Sequence, residues 1–523
     1  MNNKKRSESA AKADFLKKLF QADDSVNGAS LLPIRLTLIY LAFSVAVYIF
    51  GPIAWTTQKP VLFYSLLLVY AAALWLGYRM GVKKKFSRSI EWKTDHIDKI
   101  LPLLSILIIL NYLVYVVNIF RDYGLKTFDF PELFRQMSIG IGNPGLGYSL
   151  RYVRVNTLSA SEIMGGRLFT LFNYVWSFVR YPILLMGMLS FRKLKIWGKL
   201  FLSLYLITMF LFYLSIGTTI DILHLFLLIE LPAIINAFSS WYKREMNVKQ
   251  IFKLIVSLLV GVLLVLSYFT WMMVSRGGIN RYDQPDYNVA GVQLEENMVQ
   301  SEPVETTPAV TSPAETTPAV TSPAETSPAV TSPVETSPAV TSPSTAPSEP
   351  SGFQVPPILK KFWISFSSYF TQGYYGMAQA MTLPWTPMYG LGSSSFVVNF
   401  VSEHVYDIDQ FTYQMKTEKA YGWNSDIQWN CMYTWLANDF SFYGVAIPML
   451  LIGFLFGAMF KDAIATQNPF AKLSVFYFML MMLFIPCNNQ IAQRSDTLFS
   501  FALIVFCWLV SKYPPKFLKR SGK

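Results

Sequence analysis

The sequence predicts an all-α polytopic membrane protein with about ten transmembrane helices. Only 15% of its 523 residues are charged, against about 25% in soluble domains. Several apolar runs reach about twenty residues, the length that crosses a hydrocarbon core of ~30 Å, and the alternating pattern of membrane strands is absent. The net charge of +12 lies largely in short loops between apolar runs, which indicates membrane topology rather than nucleic-acid binding.

Ten apolar runs are predicted to cross the membrane. The first follows a polar N-terminal segment and is too long for the apolar core of a signal peptide, so it is expected to remain as a span. The predicted spans are Leu31–Trp55, Val61–Met80, Leu101–Phe120, Leu168–Ser190, Leu200–Ile216, Ile220–Phe238, Leu254–Val274, Tyr443–Phe460, Leu473–Cys487 and Thr497–Val510.

The distribution of basic residues among the connecting loops indicates which side of the membrane each loop faces. Lys and Arg cluster after spans two, four, six, eight and ten, always on the same side as the Lys-rich N-terminus. The positive-inside rule therefore predicts that both termini, residues 1–30 and 511–523, are cytoplasmic. Spans one to seven (31–274) and eight to ten (443–510) then leave two long external loops, residues 121–167 and 275–442.

The second external loop contains a Pro/Thr/Ser repeat at residues 303–350. Proline recurs at every fifth residue through its regular part, which removes backbone donors and prevents helix formation. The other residues supply almost no large apolar surface, so the segment is predicted to be a disordered, extended tether. It is either a tolerated insertion in an exposed loop or a glycosylated stalk or wall-contact spacer.

Two further stretches of this loop mix aromatic and polar residues. Phe362–Met381 is expected either to lie in the membrane interface as an amphipathic helix or to re-enter the membrane. His404–Trp435 combines rings with carboxylates and amides, which favours sugar binding, although an aromatic belt explains it equally well. His404, beside Glu403 and near Asp407, is a candidate general base, with a solvated loop histidine as the alternative.

Polar side chains inside the spans mark further candidates, because burying them in a membrane is expensive. Arg180 lies near the middle of span four. It either pairs with a carboxylate such as Glu230 or faces the substrate. Asp221 and His224 are three residues apart and so share one helix face; Asp221 is expected near the wet outer end of span six.

The first external loop and the start of the second favour arginine over lysine. Arginine holds phosphate oxygens through two nitrogens and keeps its proton, so this bias predicts an anionic ligand, a diphosphate, at the outer face. The alternative is ion pairing with acidic residues of the same loops. The first loop and the start of the second carry Arg121, Arg135, Arg151, Arg154, Arg167, Arg276 and Arg281, against Lys126. Arg151, Arg154, Arg180 and Arg276 are the predicted diphosphate ligands, and Arg121 and Arg281 are expected to be exposed.

These features together resemble the Wzy-type O-antigen and capsule repeat-unit polymerases. The similarity covers most of the chain apart from the repeat. It rests on the many spans, the two arginine-bearing external loops, and the stretches FLFYLSIGTTIDILHLFLLIELP, MMVSRGG and DFSFYGVAIPMLLIGFLFGAMF. Some members carry an R-x10-G pattern in both loops; Arg154 and Gly165 fit it once, and neither Arg276 nor Arg281 does.

The resemblance implies a metal-independent glycosyltransferase of the bacterial inner (cytoplasmic) membrane, without a cofactor. It would polymerise oligosaccharide repeat units carried on undecaprenyl diphosphate into a surface polysaccharide of the O-antigen (lipopolysaccharide) or capsule kind. A flippase and a chain-length regulator are the implied partners. Arginines would neutralise the leaving diphosphate, and His404 with Asp407 would activate the acceptor hydroxyl. An O-antigen ligase shares the architecture, and a lipid-linked-oligosaccharide flippase, which generally has shorter loops, is the alternative from another class.

Overall fold

The computed structural model describes residues 28–85, 94–157, 164–245, 247–275, 357–424 and 428–513. Every regular element in these ranges is a helix. In chain order they are α1 Gly28–Phe50, α2 Pro60–Lys83, α3 Thr94–Asp122, α4 Phe130–Gly142, α5 Pro144–Thr157, α6 Gly166–Leu189, α7 Ile196–Ser215, α8 Thr219–Tyr242, α9 Val248–Ser275, α10 Pro357–Ala380, α11 Ser395–His404, α12 Tyr413–Tyr421, α13 Met432–Gly444, α14 Ala446–Ala465, α15 Pro469–Phe484 and α16 Ser495–Lys512.

Nine of the described helices are long and apolar enough to cross a membrane. They are α1, α2, α3, α6, α7, α8, α9, α14 and α16, and each matches one predicted span. The predicted class, a multi-pass helical membrane protein, is thereby confirmed. The remaining predicted span, Leu473–Cys487, corresponds to α15, whose 16 residues rise only about 24 Å, less than a typical hydrocarbon core.

Several predicted features lie outside the described residues. They include the repeat at 303–350, both chain ends, Arg276 and Arg281. The described residues up to 275 and from 358 onward belong to one compact unit. Which end of that unit faces the cytoplasm stays a prediction from the charge pattern.

The first predicted loop is helical over most of its described length. Asp129 caps α4 by accepting a 3.0 Å hydrogen bond from the backbone N–H of Glu132. Gly140 of α4 and Gly147 of α5 both face the backbone of Ser215 at the end of α7, where a Cβ would collide with the main chain. These glycines therefore let α4 and α5 lie directly on the end of the bundle.

Helix α10 is the segment predicted to lie in the interface or re-enter the membrane, and it packs against α1. The hydroxyl of Tyr374 lies 3.0 Å from Ser44 Oγ, and Thr371 accepts a 2.8 Å hydrogen bond from Trp55 Nε1. Ser and Thr side chains along this face are buried. The modest hydropathy of α10 is thus explained by contact with protein rather than with lipid.

The connection between α15 and α16 is not helical, yet residues 485–492 are buried. Asn489 Nδ2 donates to the carbonyl oxygen of Ser393 at 2.7 Å, and Ser394 Oγ donates to that of Ala492 at 2.6 Å. These contacts with the segment before α11 give partners to polar groups that the irregular backbone would otherwise leave buried and unpaired.

Helices α2 and α14 meet through glycines on both sides. Gly77 and Gly81 of α2 face the main chain of α14, and Gly453 and Gly457 of α14 face that of α2. A Cβ on any of them would collide with a carbonyl group of the partner helix. Each helix therefore carries a Gly-x-x-x-Gly motif, the spacing that lets membrane helices approach closely.

Candidate functional site

Arginine and aspartate side chains form a linked set where α8 and α16 begin. Arg494, in the connection before α16, donates to Asp221 Oδ1 at 2.7 Å and to Asp496 Oδ2 at 3.4 Å. Arg180 Nη1 of α6 lies 3.6 Å from the same Asp496 oxygen. Asp221 and Asp496 occupy the first turns of α8 and α16, where the helix dipole stabilises a carboxylate.

Arg494 combines buried partners with an accessible side chain. The side chains of Asp221 and Asp496 are 8% and 7% exposed, whereas that of Arg494 is 39% exposed. The negative charge of Asp496 raises the pKa of Arg494 well above its ordinary value, against the opposing effect of burial. The guanidinium therefore stays charged and keeps a surface that a ligand can reach.

Asp122, the last residue of α3, connects this set to α5. Its carboxyl lies close enough to Arg151, Arg494 and Arg180 for their charges to act on it. Asp122 and Arg151 are both half-buried. The end of α3 and the first predicted loop thus contribute to the same site as the connection before α16.

Arg154 lies one turn beyond Arg151 on α5. Its guanidinium carbon is 4.7 Å from the centroid of the Tyr123 ring, and its Nη1 donates to Gln136 Oε1 at 2.6 Å. Burial lowers the pKa of Arg154, but an arginine starts so high that it remains charged at neutral pH. The arginine cluster is the name used below for Arg151, Arg154, Arg180 and Arg494 with Asp122, Asp221 and Asp496.

Several buried polar atoms of the arginine cluster lack hydrogen-bond partners within the described residues. These atoms are Nε of Arg151, Arg154 and Arg180, and Oδ1 of Asp496. Beside them His224, one turn from Asp221, is 1% exposed and has no partner on either ring nitrogen. Each unmet buried group costs about 1–3 kcal/mol. Their concentration in one place indicates polar partners that the described part of the chain does not supply.

A second buried carboxylate, near the other end of α16, shows the opposite arrangement. Asp462 of α14 accepts hydrogen bonds from Lys512 Nζ at 2.7 Å, Trp508 Nε1 at 2.9 Å and Asn468 Nδ2 at 3.0 Å. The chain itself supplies all of these donors, so a structural role accounts for the network. The unused nitrogen and oxygen atoms of the arginine cluster set it apart.

The structure brings together three of the four arginines that the sequence singled out as diphosphate ligands. Arg151, Arg154 and Arg180 all belong to the arginine cluster. Arg276 lies outside the described residues, so its role stays a prediction.

His404 and Asp407 occupy the surface around the end of α11. The His404 side chain is 54% exposed, stacks on Phe400 at 4.6 Å between centroids and places Nδ1 2.9 Å from the Phe400 carbonyl oxygen. Asp407 is exposed. In the described part of the chain, no hydrogen bond or ion pair given for either residue reaches an arginine.

Arg180 pairs with a buried carboxylate, as one of its two alternatives predicts, but the partner is Asp496 rather than Glu230, which accepts a 2.6 Å hydrogen bond from Ser257. The expectation for Asp221 is wrong. Asp221 is not exposed to solvent: it is 6% exposed, because Arg494 covers it.

The arginines of the first loop divide into different environments. Arg121 was expected to be exposed, but it is buried, because it donates to the Met164 carbonyl and to Thr170 Oγ1. Arg135 is exposed and pairs with Glu132 at 2.6 Å within α4, as the ion-pair alternative predicts. The excess of arginine in the first loop therefore reflects structural contacts, those of Arg121 and Arg135, as well as the arginine cluster.

Arg494 is not among the residues predicted from the sequence. It lies in the short polar run NNQIAQRSD between two predicted spans, whereas the predicted diphosphate ligands lie in the long loops and in span four. An arginine in a short loop on the predicted external side contradicts the usual bias. That contradiction, together with Asp496 two residues later, was the available signal.

Comparisons with protein-family models, with curated proteins and with solved structures found no match for this chain. Within the described ranges, no group of three or more His, Cys, Asp or Glu side chains is arranged to hold a metal ion.

Proposed function

We propose that this protein is a glycosyltransferase that joins lipid-linked oligosaccharide repeat units into a surface polysaccharide at the external face of the bacterial inner membrane. The observation that carries the proposal is the arginine cluster, in which guanidinium groups from three parts of the chain meet and leave nitrogens unpaired. The phosphate oxygens of undecaprenyl diphosphate are the acceptors that such nitrogens bind best.

The arginines would act on the leaving group. The bond between the anomeric carbon of the growing chain and the carrier diphosphate breaks, and a bond forms to a hydroxyl of the incoming unit. Negative charge develops on the departing diphosphate, and fixed guanidinium groups stabilise that charge in a site that excludes water. The freed carrier leaves as undecaprenyl diphosphate.

A carboxylate would take the proton of the acceptor hydroxyl. Asp221 and Asp496 are already held by Arg494, whereas Asp122 is half-buried beside Arg151. Asp122 is therefore the base that the geometry favours within the arginine cluster. His404 and Asp407, predicted for this step from the sequence, remain the competing assignment.

The test uses a deletion strain complemented with variants at matched protein level. Arg151→Gln removes a charge-assisted contact worth about 2–4 kcal/mol in a dry site, which corresponds to a roughly thirty- to thousandfold loss of polymerisation. Arg135→Gln on α4 is the matched control, because its partner Glu132 lies on the same exposed helix. A polysaccharide gel should show single units for Arg151→Gln and full ladders for Arg135→Gln.

Other results would redirect or reject the proposal. Full ladders from Arg151→Gln would reject the arginine cluster as the diphosphate site. In the deletion strain, complete polymer that is not transferred to its final acceptor would identify a ligase, and lipid-linked units confined to the inner leaflet would identify a flippase. Reporter fusions at Gly145 and Lys193 should read external and cytoplasmic respectively. The reverse result would place the arginine cluster on the cytoplasmic side and reject the proposed function.

A further inference from the structure

Helices α2 and α14 border an open cleft with a volume of about 400 Å³. Both helices are membrane spans, and residues at the edges of the cleft are exposed, so the cleft faces the lipid. It is lined by apolar residues, among them Val69, Ala72, Ala73 and Leu76 of α2 and Ile447 and Leu450 of α14.

On α2, the face that lines the cleft continues into two basic residues. Arg79 and Lys83 follow Leu76 by three and seven residues, spacings that stay on one side of a helix. The guanidinium carbon of Arg79 lies 4.9 Å from the ring centroid of Trp75, one turn back toward the cleft. The charge of Arg79 is therefore held beside the end of the cleft.

On α14, the corresponding face ends in a lysine. Lys461 follows Leu450 by eleven residues, about three helical turns. Its Nζ donates to the carbonyl oxygen of Val82 at 2.7 Å, which places the ammonium group at the last turn of α2. Cations from both helices thus lie at the same end of the cleft. Arg79, Lys83 and Lys461 are called the basic end of the cleft below.

The basic end of the cleft has no carboxylate of its own. Within the described ranges, none of its three cations forms an ion pair. Asp462, the neighbour of Lys461 in the sequence, is buried and already accepts hydrogen bonds from Lys512, Trp508 and Asn468. An apolar cleft that ends in cations without acidic partners matches a ligand with an apolar tail and an anionic head.

We propose that the cleft binds an anionic phospholipid, with one acyl chain along α2 and the phosphate at the basic end. Arg79 and Val69 are ten residues apart, about 15 Å along the helix axis. This distance is half of a hydrocarbon core of ~30 Å and so the depth of one leaflet. Arginine and lysine bind phosphate oxygens through charge-assisted hydrogen bonds, whereas a zwitterionic headgroup would bring a further cation to the same place.

This lipid is distinct from the lipid carrier of the function proposed above. The arginine cluster lies where α16 begins, whereas Lys461 is next to Asp462, which pairs with Lys512 in the last turn of α16. The 18 residues of α16 separate the two places by about 27 Å. The charge pattern predicts that the basic end faces the cytoplasm, where basic residues at the ends of spans recognise anionic lipids.

Native mass spectrometry of the full-length protein, released from detergent, measures the binding. The protein is titrated with dioleoyl phosphatidylglycerol and, in parallel, with dioleoyl phosphatidylcholine, which has the same chains and no net charge. The parent protein should bind phosphatidylglycerol more tightly. Lys83→Gln should weaken phosphatidylglycerol binding about fivefold and leave phosphatidylcholine binding unchanged. Ala72→Phe places a ring in the cleft and should weaken the binding of both lipids.

The matched control is Lys193→Gln, which removes one basic charge on the same predicted side but between α6 and α7, where Lys193 pairs with Asp98 at 2.7 Å. It should leave phosphatidylglycerol binding unchanged. Without added lipid, Lys83→Gln and Ala72→Phe should unfold at the temperature of the parent protein, because Lys83 forms no ion pair within the described ranges and Ala72 is exposed.

Four results would overturn the proposal. Equal affinity of the parent protein for the two lipids would show that the headgroup charge is not recognised. An equal loss of phosphatidylglycerol binding in Lys193→Gln and Lys83→Gln would show attraction to the whole basic surface. A dimer that disappears in Ala72→Phe would show that a second copy occupies the cleft. Inorganic phosphate that raises the unfolding temperature as much as phosphatidylglycerol does would show that the acyl chain is not needed.

Discussion

The glycine contact between α2 and α14 predicts a loss of stability on substitution, and the interatomic distances set its size. Gly457→Ala adds one methyl group to α14 at the place where it meets the main chain of α2. The added Cβ would lie 3.0 Å from the carbonyl carbon of Tyr78 and 3.1 Å from its Cα, and nearer still to the oxygen. Because the obstructing atoms are backbone, no side-chain rotation relieves the contact.

The size of the effect comes from the distance by which the helices must separate. Non-bonded carbon atoms prefer about 3.5–4.0 Å, so α14 must move away from α2 by roughly half an ångström or more. That movement also loosens the contacts of Gly77, Gly81 and Gly453 along the same interface. Overpacking of this kind costs about 1–3 kcal/mol, and we expect Gly457→Ala to fall in that range.

The measurement is the thermal unfolding temperature of purified protein in one detergent. Gel filtration checks that each variant is monodisperse. Gly142→Ala on α4 is the control, because a Cβ there meets nothing within 4 Å, and alanine favours a helix over glycine by about 1 kcal/mol. Gly457→Ala should lower the unfolding temperature and Gly142→Ala should hold or raise it. In the double variant Gly77→Ala with Gly457→Ala the two losses should not add, because the first methyl already separates the helices. Equal unfolding temperatures for Gly457→Ala and Gly142→Ala would refute the close-packing argument.

Three further outcomes are expected. Asp462→Ala should destabilise the protein by about 3–5 kcal/mol, since it removes the carboxylate that pairs with the buried Lys512; unfolding in detergent measures this, and a wild-type unfolding temperature would count against the network. Arg494→Lys keeps the charge but loses the fork that reaches two carboxylates, so polymer ladders should shorten at unchanged protein level, and full-length ladders would contradict the role given to its guanidinium. Asp122→Asn should abolish polymerisation while His404→Gln keeps it, with the reverse pattern restoring the surface histidine as the base.

The spans were predictable because a run of apolar residues along the sequence is enough to identify a membrane helix. Twenty apolar residues must cross as a helix to satisfy their own backbone, so α3 and α9 follow from hydropathy alone. Helix α10 did not, because its buried Ser and Thr face protein rather than lipid, and hydropathy does not distinguish that case from a surface helix. The Gly-x-x-x-Gly motifs of α2 and α14 were readable, but only the structure shows that they face each other.

The candidate site was predictable only as a set of residue types. The bias towards arginine pointed to Arg151 and Arg154, and a polar position inside span four pointed to Arg180; all three lie close enough to Asp122 for their charges to act on it. Which carboxylate pairs with which arginine depends on contacts between segments hundreds of residues apart, as with Arg494 and Asp221. Local spacing carries no information about such pairs, which is why Glu230 rather than Asp496 was named as the example partner of Arg180.

Helix α5, which is not one of the membrane spans, contributes two arginines to the arginine cluster. Gly147 of α5 faces the Ser215 backbone at the end of α7, and Arg151 lies four residues further along, on the same side of the helix. The glycine therefore brings α5 close enough for Arg151 to act on Asp122. A helix whose only task was to cover the bundle end would carry apolar residues towards it. Instead, α5 brings to that end guanidinium groups whose Nε atoms have no partner within the described residues, which is the arrangement expected of a site that binds an anion.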